Sequence, residues 1–150
     1  MQLLVKHSFK SKNRLRGPKA YIIDPGLHNN RENSMAAKAI GWRLENIVYI
    51  ELLRRCANDF LDIYFYKPSS REKEVDFVIC DRNKATQLVQ VAYDISSEKT
   101  FKRETSALVT ASEALNCDNL FLIAFTETRN VEVAGKTIHI MSALDWLLKK

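Results

Sequence analysis

The chain predicts a mixed α/β domain in which one mixed sheet is flanked by helices. Three observations carry this. A stretch from about Ser34 to Cys56 repeats its apolar residues every 3.6 positions. Three short strand-like runs then follow one another across polar connections. A second helical stretch, about Glu98 to Asn116, leads directly into the apolar run Leu120 to Phe125. The resulting order, α-β-β-β-α-β, calls for one sheet covered by two helices.

Leu3 to Val5 reads as a short strand and Ala20 to Ile23 as another, stopped by the turn Asp24-Pro25-Gly26. In the first helix Ile40, Leu44, Ile47, Val48 and Leu52 form one stripe, with Asn33 or Ser34 as N-cap. Strands are expected over 62–67, 74–80 and 85–93, and their short polar connections make them antiparallel neighbours. The second helix carries Phe101, Thr105, Leu108 and Leu115 along one side. Val131 to Val133 and Thr137 to Met141 flank Ala134-Gly135-Lys136 as a hairpin. Ser142-Ala143-Leu144-Asp145 has the form of a capping box opening a short helix through Trp146 to Leu148.

With 150 residues, 46% hydrophobic and 27% charged, the chain reads as one domain spanning 1–150, able to build a core without disulfides or structural metal. No apolar run approaches the roughly 20 residues needed to cross a bilayer, so no membrane partner is expected. Cys56, Cys80 and Cys117 have no CxxC spacing and are expected in the core of a cytoplasmic protein; His7, His28 and His139 are as scattered.

Charge is unevenly placed. Residues 1–19 hold Lys6, Lys10, Lys12, Arg14, Arg16 and Lys19 and no acid, whereas the remainder carries 17 basic and 18 acidic groups. A cationic arm on a near-neutral body suits phosphate, so Lys10, Lys12, Arg14 and Arg16 are candidate nucleic-acid contacts, most simply to DNA. A solvated loop is the plain alternative. Phe9 is the arm's only aromatic residue, too little for a stacking platform.

Acids offer a second candidate site. Alternation along 74–79 puts Val75, Phe77 and Ile79 on one face and Glu74 and Asp76 on the other; on the next strand Leu88, Gln90 and Ala92 oppose Val89, Val91 and Tyr93. Gln90 inside an apolar run needs a partner if buried. On the first helix Glu51 projects into the apolar stripe and Glu45 lies at its margin. Helix acids, Asp76 and Gln90 can converge as hard oxygen ligands for Mg²⁺. The competing reading pairs Glu51 with Arg54 or Arg55 and leaves Asp76 opposite a lysine.

The runs Pro18-Lys19-Ala20-Tyr21-Ile22-Ile23-Asp24-Pro25-Gly26-Leu27, Gly41-Trp42-Arg43-Leu44-Glu45-Asn46-Ile47-Val48-Tyr49-Ile50-Glu51-Leu52, Glu74-Val75-Asp76-Phe77 and Gln90-Val91-Ala92-Tyr93-Asp94, with Arg103-Glu104 and the closing Asp145-Trp146-Leu147-Leu148, resemble the C-terminal domain of unknown function attached to many prokaryotic AAA+-type ATPases. That domain is similar to PD-(D/E)xK nucleases. The resemblance implies a restriction-endonuclease-like core (αβββαβ) and a catalytic, metal-binding set of Glu45, Asp76 and Gln90, with Ala92 standing where such nucleases carry lysine. Lys73 and Lys84, both expected near turns, are the candidates to fill that gap.

The resemblance therefore implies a nuclease-like module with impaired catalysis that binds or targets nucleic acid for an AAA+ ATPase module. An active Mg²⁺-dependent endonuclease and a regulatory protein-interaction domain are the alternatives. Residues 1–19 would then close a preceding segment, with the ATPase outside this chain. The P-loop-like run Asn130 to Thr137 lacks the first glycine and precedes a strand, so it is expected to be a hairpin turn.

Overall fold

A computed structural model describes residues 3–6, 19–23, 37–68 and 74–149. The Asp24-Pro25-Gly26 turn, the Asn33 or Ser34 cap, Lys73 and the arm residues Lys10, Lys12, Arg14 and Arg16 lie outside the described residues. Strands β1 (Leu3–Lys6) and β2 (Lys19–Ile22) pair antiparallel as a two-stranded sheet of their own, with Lys6 opposite Lys19. Thus β2 begins one residue earlier than expected, and Lys19 belongs to a strand.

Helix α1 (Ala37–Asp59) buries Leu44, Val48, Leu52 and Cys56, four residues apart and hence on one face. Tyr49 joins them. Ile47, expected in the stripe, is 37% exposed, because the buried face runs along the i+4 row and turns Ile47 away from it. Glu51 follows the plainer of its two readings: Arg54 and Arg55 donate to its carboxylate at 2.6–2.8 Å. Arg55 also donates to the carbonyls of Trp146 and Lys149 and lies 4.3 Å from the Trp146 ring centroid, tying α1 to the C-terminal helix.

Strands β3 (Asp62–Tyr66), β4 (Val75–Asp81) and β5 (Lys84–Ala92) form the expected antiparallel succession. Helix α2 (Glu98–Leu115) then crosses over so that β6 (Leu120–Ala124) lies parallel to β5, as a parallel pair requires. Strands β7 (Arg129–Val133) and β8 (Lys136–Ser142) complete a six-stranded mixed sheet in the order β3-β4-β5-β6-β8-β7. Their connection places Ala134 and Gly135 at φ 51° and 74°, the pair of positive angles that a two-residue hairpin turn of the primed type needs. The P-loop-like run is therefore a hairpin.

Helix α3 (Ala143–Leu148) starts at Ser142, whose hydroxyl accepts the Asp145 N–H; Thr128 closes the box, accepting from the Ser142 N–H and donating to Asp145. One core, packed against α2, contains Val78, Leu88, Leu108, Leu120 and Ile140. The other lies between the sheet and α1 with α3, and contains Tyr21, Val48, Phe77, Val89 and Trp146. The three cysteines are buried and free. Among the described residues no helix is long and apolar enough to cross a membrane.

Both long helices end in a left-handed residue followed by a bond back to the last turn: Leu61 N–H to the Cys56 carbonyl after Phe60, and Cys117 N–H to the Ser112 carbonyl after Asn116. Asn116 suits that conformation. Phe60 does not, and its side chain is 93% exposed, so no packing offsets the strain.

Two outcomes are expected. Phe60→Gly relieves strain of roughly 1–2 kcal/mol against glycine's cost of about 0.5–1, so urea denaturation should show a net gain on the order of 0.5–1 kcal/mol. The Glu51 carboxylate is held down to about 2 by hydrogen bonds from Arg54 and then Arg55, against the opposing effect of burial. Its contribution is complete above the unfolded value near pH 4.5 and is lost as pH falls through about 2. Glu51→Gln should cost about 1 kcal/mol at neutral pH. The difference from the parent should vanish toward pH 2 in acid titrations followed by circular dichroism.

Candidate functional site

The site forms where β4 and β5 separate. Tyr64 pairs with Val78 and Tyr66 with Val75, so β4 spends three steps against two on β3 and carries an extra residue at Asp76–Phe77. Such a bulge re-aims the side chains around it. Val75 accordingly packs with Val78 and Cys80 on the α2 side, while Phe77 and Ile79 face α1, a departure from the strict alternation expected.

The paired register of β4 and β5 ends at Phe77–Val89, and side chains take over there. Asp76 N–H donates to Gln90 Oε1 at 3.1 Å, and Val91 N–H donates to Asp76 Oδ2 at 3.1 Å. Gln90 Nε2 donates to Glu104 Oε2 at 2.7 Å, and Arg103 donates to the other oxygen of Glu104. These partners fix the amide's orientation: its oxygen meets a backbone donor and its nitrogen a carboxylate. Gln90 is thereby satisfied, as a buried amide must be.

Opposite them stands Lys19. Its ammonium lies 3.1 Å from Glu45 Oε1, 2.6 Å from Glu74 Oε1 and 3.0 Å from Asp76 Oδ1. Lys67 holds the second oxygen of Glu74 at 2.7 Å. Tyr21, two residues along β2 on the same face as Lys19, donates its hydroxyl to Glu45 Oε1 at 2.7 Å, and its ring packs 4.2 Å from that of Tyr49. Strand β2 is held by Asn46, fully buried on α1: its Oδ1 accepts the Ile22 N–H at 2.8 Å and its Nδ2 donates to the Ile22 carbonyl at 2.7 Å. One amide side chain thus supplies what a neighbouring strand would.

Charge follows from this packing. Burial works against the Lys19 ammonium, but the carboxylates of Asp76, Glu45 and Glu74 outweigh it and the net shift is upward, so Lys19 stays charged. Burial, followed by the charge of Glu45, raises the Tyr21 hydroxyl, which remains a donor. For Asp76, burial and then Glu45 push upward, Lys19 and the Val91 N–H pull down, and the upward push prevails, to about 7. Glu74 lies below its ordinary value: burial raises it, but Lys19 and Lys67 together prevail.

The acids open onto a cleft of about 280 Å³ lined by Glu45, Glu74, Asp76, Gln90, Arg103 and Glu104. The structure therefore brings together Glu45, Asp76 and Gln90. Ala92 is buried in the α2-side core, and Lys84 sits opposite Asp81 at the far end of the β4–β5 pair. Among the described residues no group of three His, Cys, Asp or Glu side chains is arranged to hold a metal ion. In the sequence Lys19 reads as part of a basic arm, and nothing there assigns a role to Tyr21, Asn46 or Glu104. Asn46 lies off the row of Leu44, Val48 and Leu52 and is buried because β2 covers it, so helical periodicity carries no signal for its role.

Asn46→Ala leaves the Ile22 N–H and carbonyl without their partners and is expected to cost about 2–4 kcal/mol in thermal or urea melts. The Ile22 amide should also lose its protection in hydrogen exchange.

No curated protein and no solved structure matches the chain. A family profile described as Domain of unknown function (DUF4143) matches residues 40–144, from the first buried turn of α1 to the start of α3. That span contains Glu45, Glu74, Asp76, Gln90 and Glu104 but not Lys19 or Tyr21, and it exceeds half of the 150 residues. The chain belongs to the DUF4143 family.

Proposed function

We propose that this domain is a nuclease-like module of an AAA+-type ATPase that binds or positions nucleic acid, most simply DNA, without efficient phosphodiester cleavage. The observation that carries the reading is the pairing of Glu45, Glu74 and Asp76 with one ammonium, at a site framed by the element order α1, β3, β4, β5, α2, β6. The order and the two acids, one on the helix and one on the bulged strand, agree with the resemblance to PD-(D/E)xK nucleases.

Three features favour binding over cleavage. Ala92 has no cation to orient an attacking water or offset developing phosphoryl charge. Gln90 directs its carbonyl oxygen to a backbone donor. The three N–H donors of Lys19 have three carboxylate partners, so its charge is not presented to a phosphate. Affinity for nucleic acid is assigned to the cations of residues 1–19, chiefly Lys10, Lys12, Arg14 and Arg16, through release of counterions.

Fluorescence anisotropy with labelled duplex and single-stranded DNA tests this. Binding should weaken as salt rises, and replacing Arg14 and Arg16 together by Ala should reduce the slope of log affinity against log salt by about 2. Plasmid nicking with Mg²⁺ or Mn²⁺ should be absent or very slow. Absent or salt-insensitive binding overturns the reading. Metal-dependent nicking abolished in Asp76→Ala makes the domain a working endonuclease instead.

A further inference from the structure

Lysine has three N–H donors, and in Lys19 each finds a carboxylate from a different stretch of chain: Glu45 on α1, Glu74 just ahead of β4, and Asp76 on β4. The ammonium thus sits where the three acids converge, with its donors matched one to one. Its placement is built by the surrounding chain. Asn46 clamps the backbone of β2 three residues away, and the Tyr21 hydroxyl closes on the same Glu45 oxygen.

The spacing belongs to an ammonium. The oxygens stand 2.6–3.1 Å from the nitrogen, whereas Mg²⁺ requires them at about 2.0–2.1 Å and Ca²⁺ at about 2.3–2.6 Å. A divalent ion entering this seat has to expel Lys19, since two cations cannot share three oxygens at contact distance. The fourth acid of the cleft, Glu104, is taken by Arg103 and Gln90, and Glu74 has Lys67 as a second partner. Four carboxylates therefore face three cations of the same chain, which leaves a single negative charge over rather than the three that converge on Lys19.

We propose that Lys19 is the resident cation of this site in place of a divalent metal, so that the domain folds and holds its acids together without metal. The proposal rests on the nuclease-like reading only in taking a metal as the expected occupant. Folding and ion binding are its readouts, and nucleic-acid binding is not among them.

The experiment uses the full chain as wild type, Lys19→Met and Lys19→Met/Asp76→Asn, with Mn²⁺ binding followed by electron paramagnetic resonance and melting temperature measured in chelator and in Mn²⁺. The wild type should show no saturable Mn²⁺ binding through the range of about 0.1–1 mM typical of weak oxygen sites, and its melting temperature should be the same in both media. Lys19→Met exposes three carboxylates without a counter-ion. It should melt lower in chelator, regain stability in Mn²⁺, and bind Mn²⁺ at least tenfold more tightly than the wild type, a gain that Asp76→Asn removes.

Saturable wild-type binding that depends on Asp76 overturns the proposal, and so does a folded Lys19→Met that gains no Mn²⁺ affinity. If Lys19→Met does not fold, the wild type decides through amide NMR. Selective Mn²⁺ broadening of the Val91 amide, bonded to Asp76, contradicts the proposal, and an unbroadened amide supports it. DNA affinity is measured apart, in chelator; its absence sinks the nucleic-acid reading and leaves the Mn²⁺ result standing.

Discussion

Asp76 is 7% exposed, and its carboxyl group lies against the Lys19 ammonium at the point where two strands part. Leaving a buried charge without its partner costs on the order of 3–5 kcal/mol, a large share of a domain's total stability. Everything around it follows from that constraint. One oxygen needs a cation, supplied by β2; the other needs a donor, supplied by the Val91 N–H that the splayed ladder leaves over. The Asp76 amide, displaced from regular pairing by the bulge, needs an acceptor, and Gln90 meets it. The aspartate, the bulge, the glutamine and the distant strand form one solution to one electrostatic problem.

The two helix acids show how local surroundings divide roles between like residues. Glu45 and Glu51 lie on the same helix, yet Glu51 has arginines three and four residues on, and its charge is neutralised within α1 before any other element is involved. Glu45 has neutral residues at those positions, Val48 and Tyr49, and its charge is met from β2 instead. Local pairing made the first acid part of the scaffold, and its absence left the second for the site.

What the sequence discloses follows the range of the forces involved. The extents of α2, β3, β4 and β5, the Ser142 cap and the Ala134-Gly135 turn arise from contacts within a few residues, and periodicity or turn chemistry reveals them. The meeting of Glu45 with Asp76 and Gln90 was implied by the resemblance to PD-(D/E)xK nucleases, since helical periodicity left Glu45 and Glu51 both open. Lys19 was not, because 57 positions separate it from Asp76 and nothing in a charge count distinguishes it from the other cations of the arm. The phase of Val75 was missed because a bulge adds one residue to a strand without any glycine or proline to mark it.

The clamp between Asn46 and Ile22 has a consequence for how the molecule opens. Among the described residues strands β1 and β2 pair only with each other and share no ladder with the six-stranded sheet, so lifting them away has to draw Tyr21 out of the α1-side core and break the Asn46–Ile22 clamp. Such a lift removes the ammonium from three acids at once and leaves them repelling one another. Detachment of the small sheet would thus unmask the cleft's negative charge in the same event, and ionic strength, by screening that repulsion, would lower the cost of detaching it.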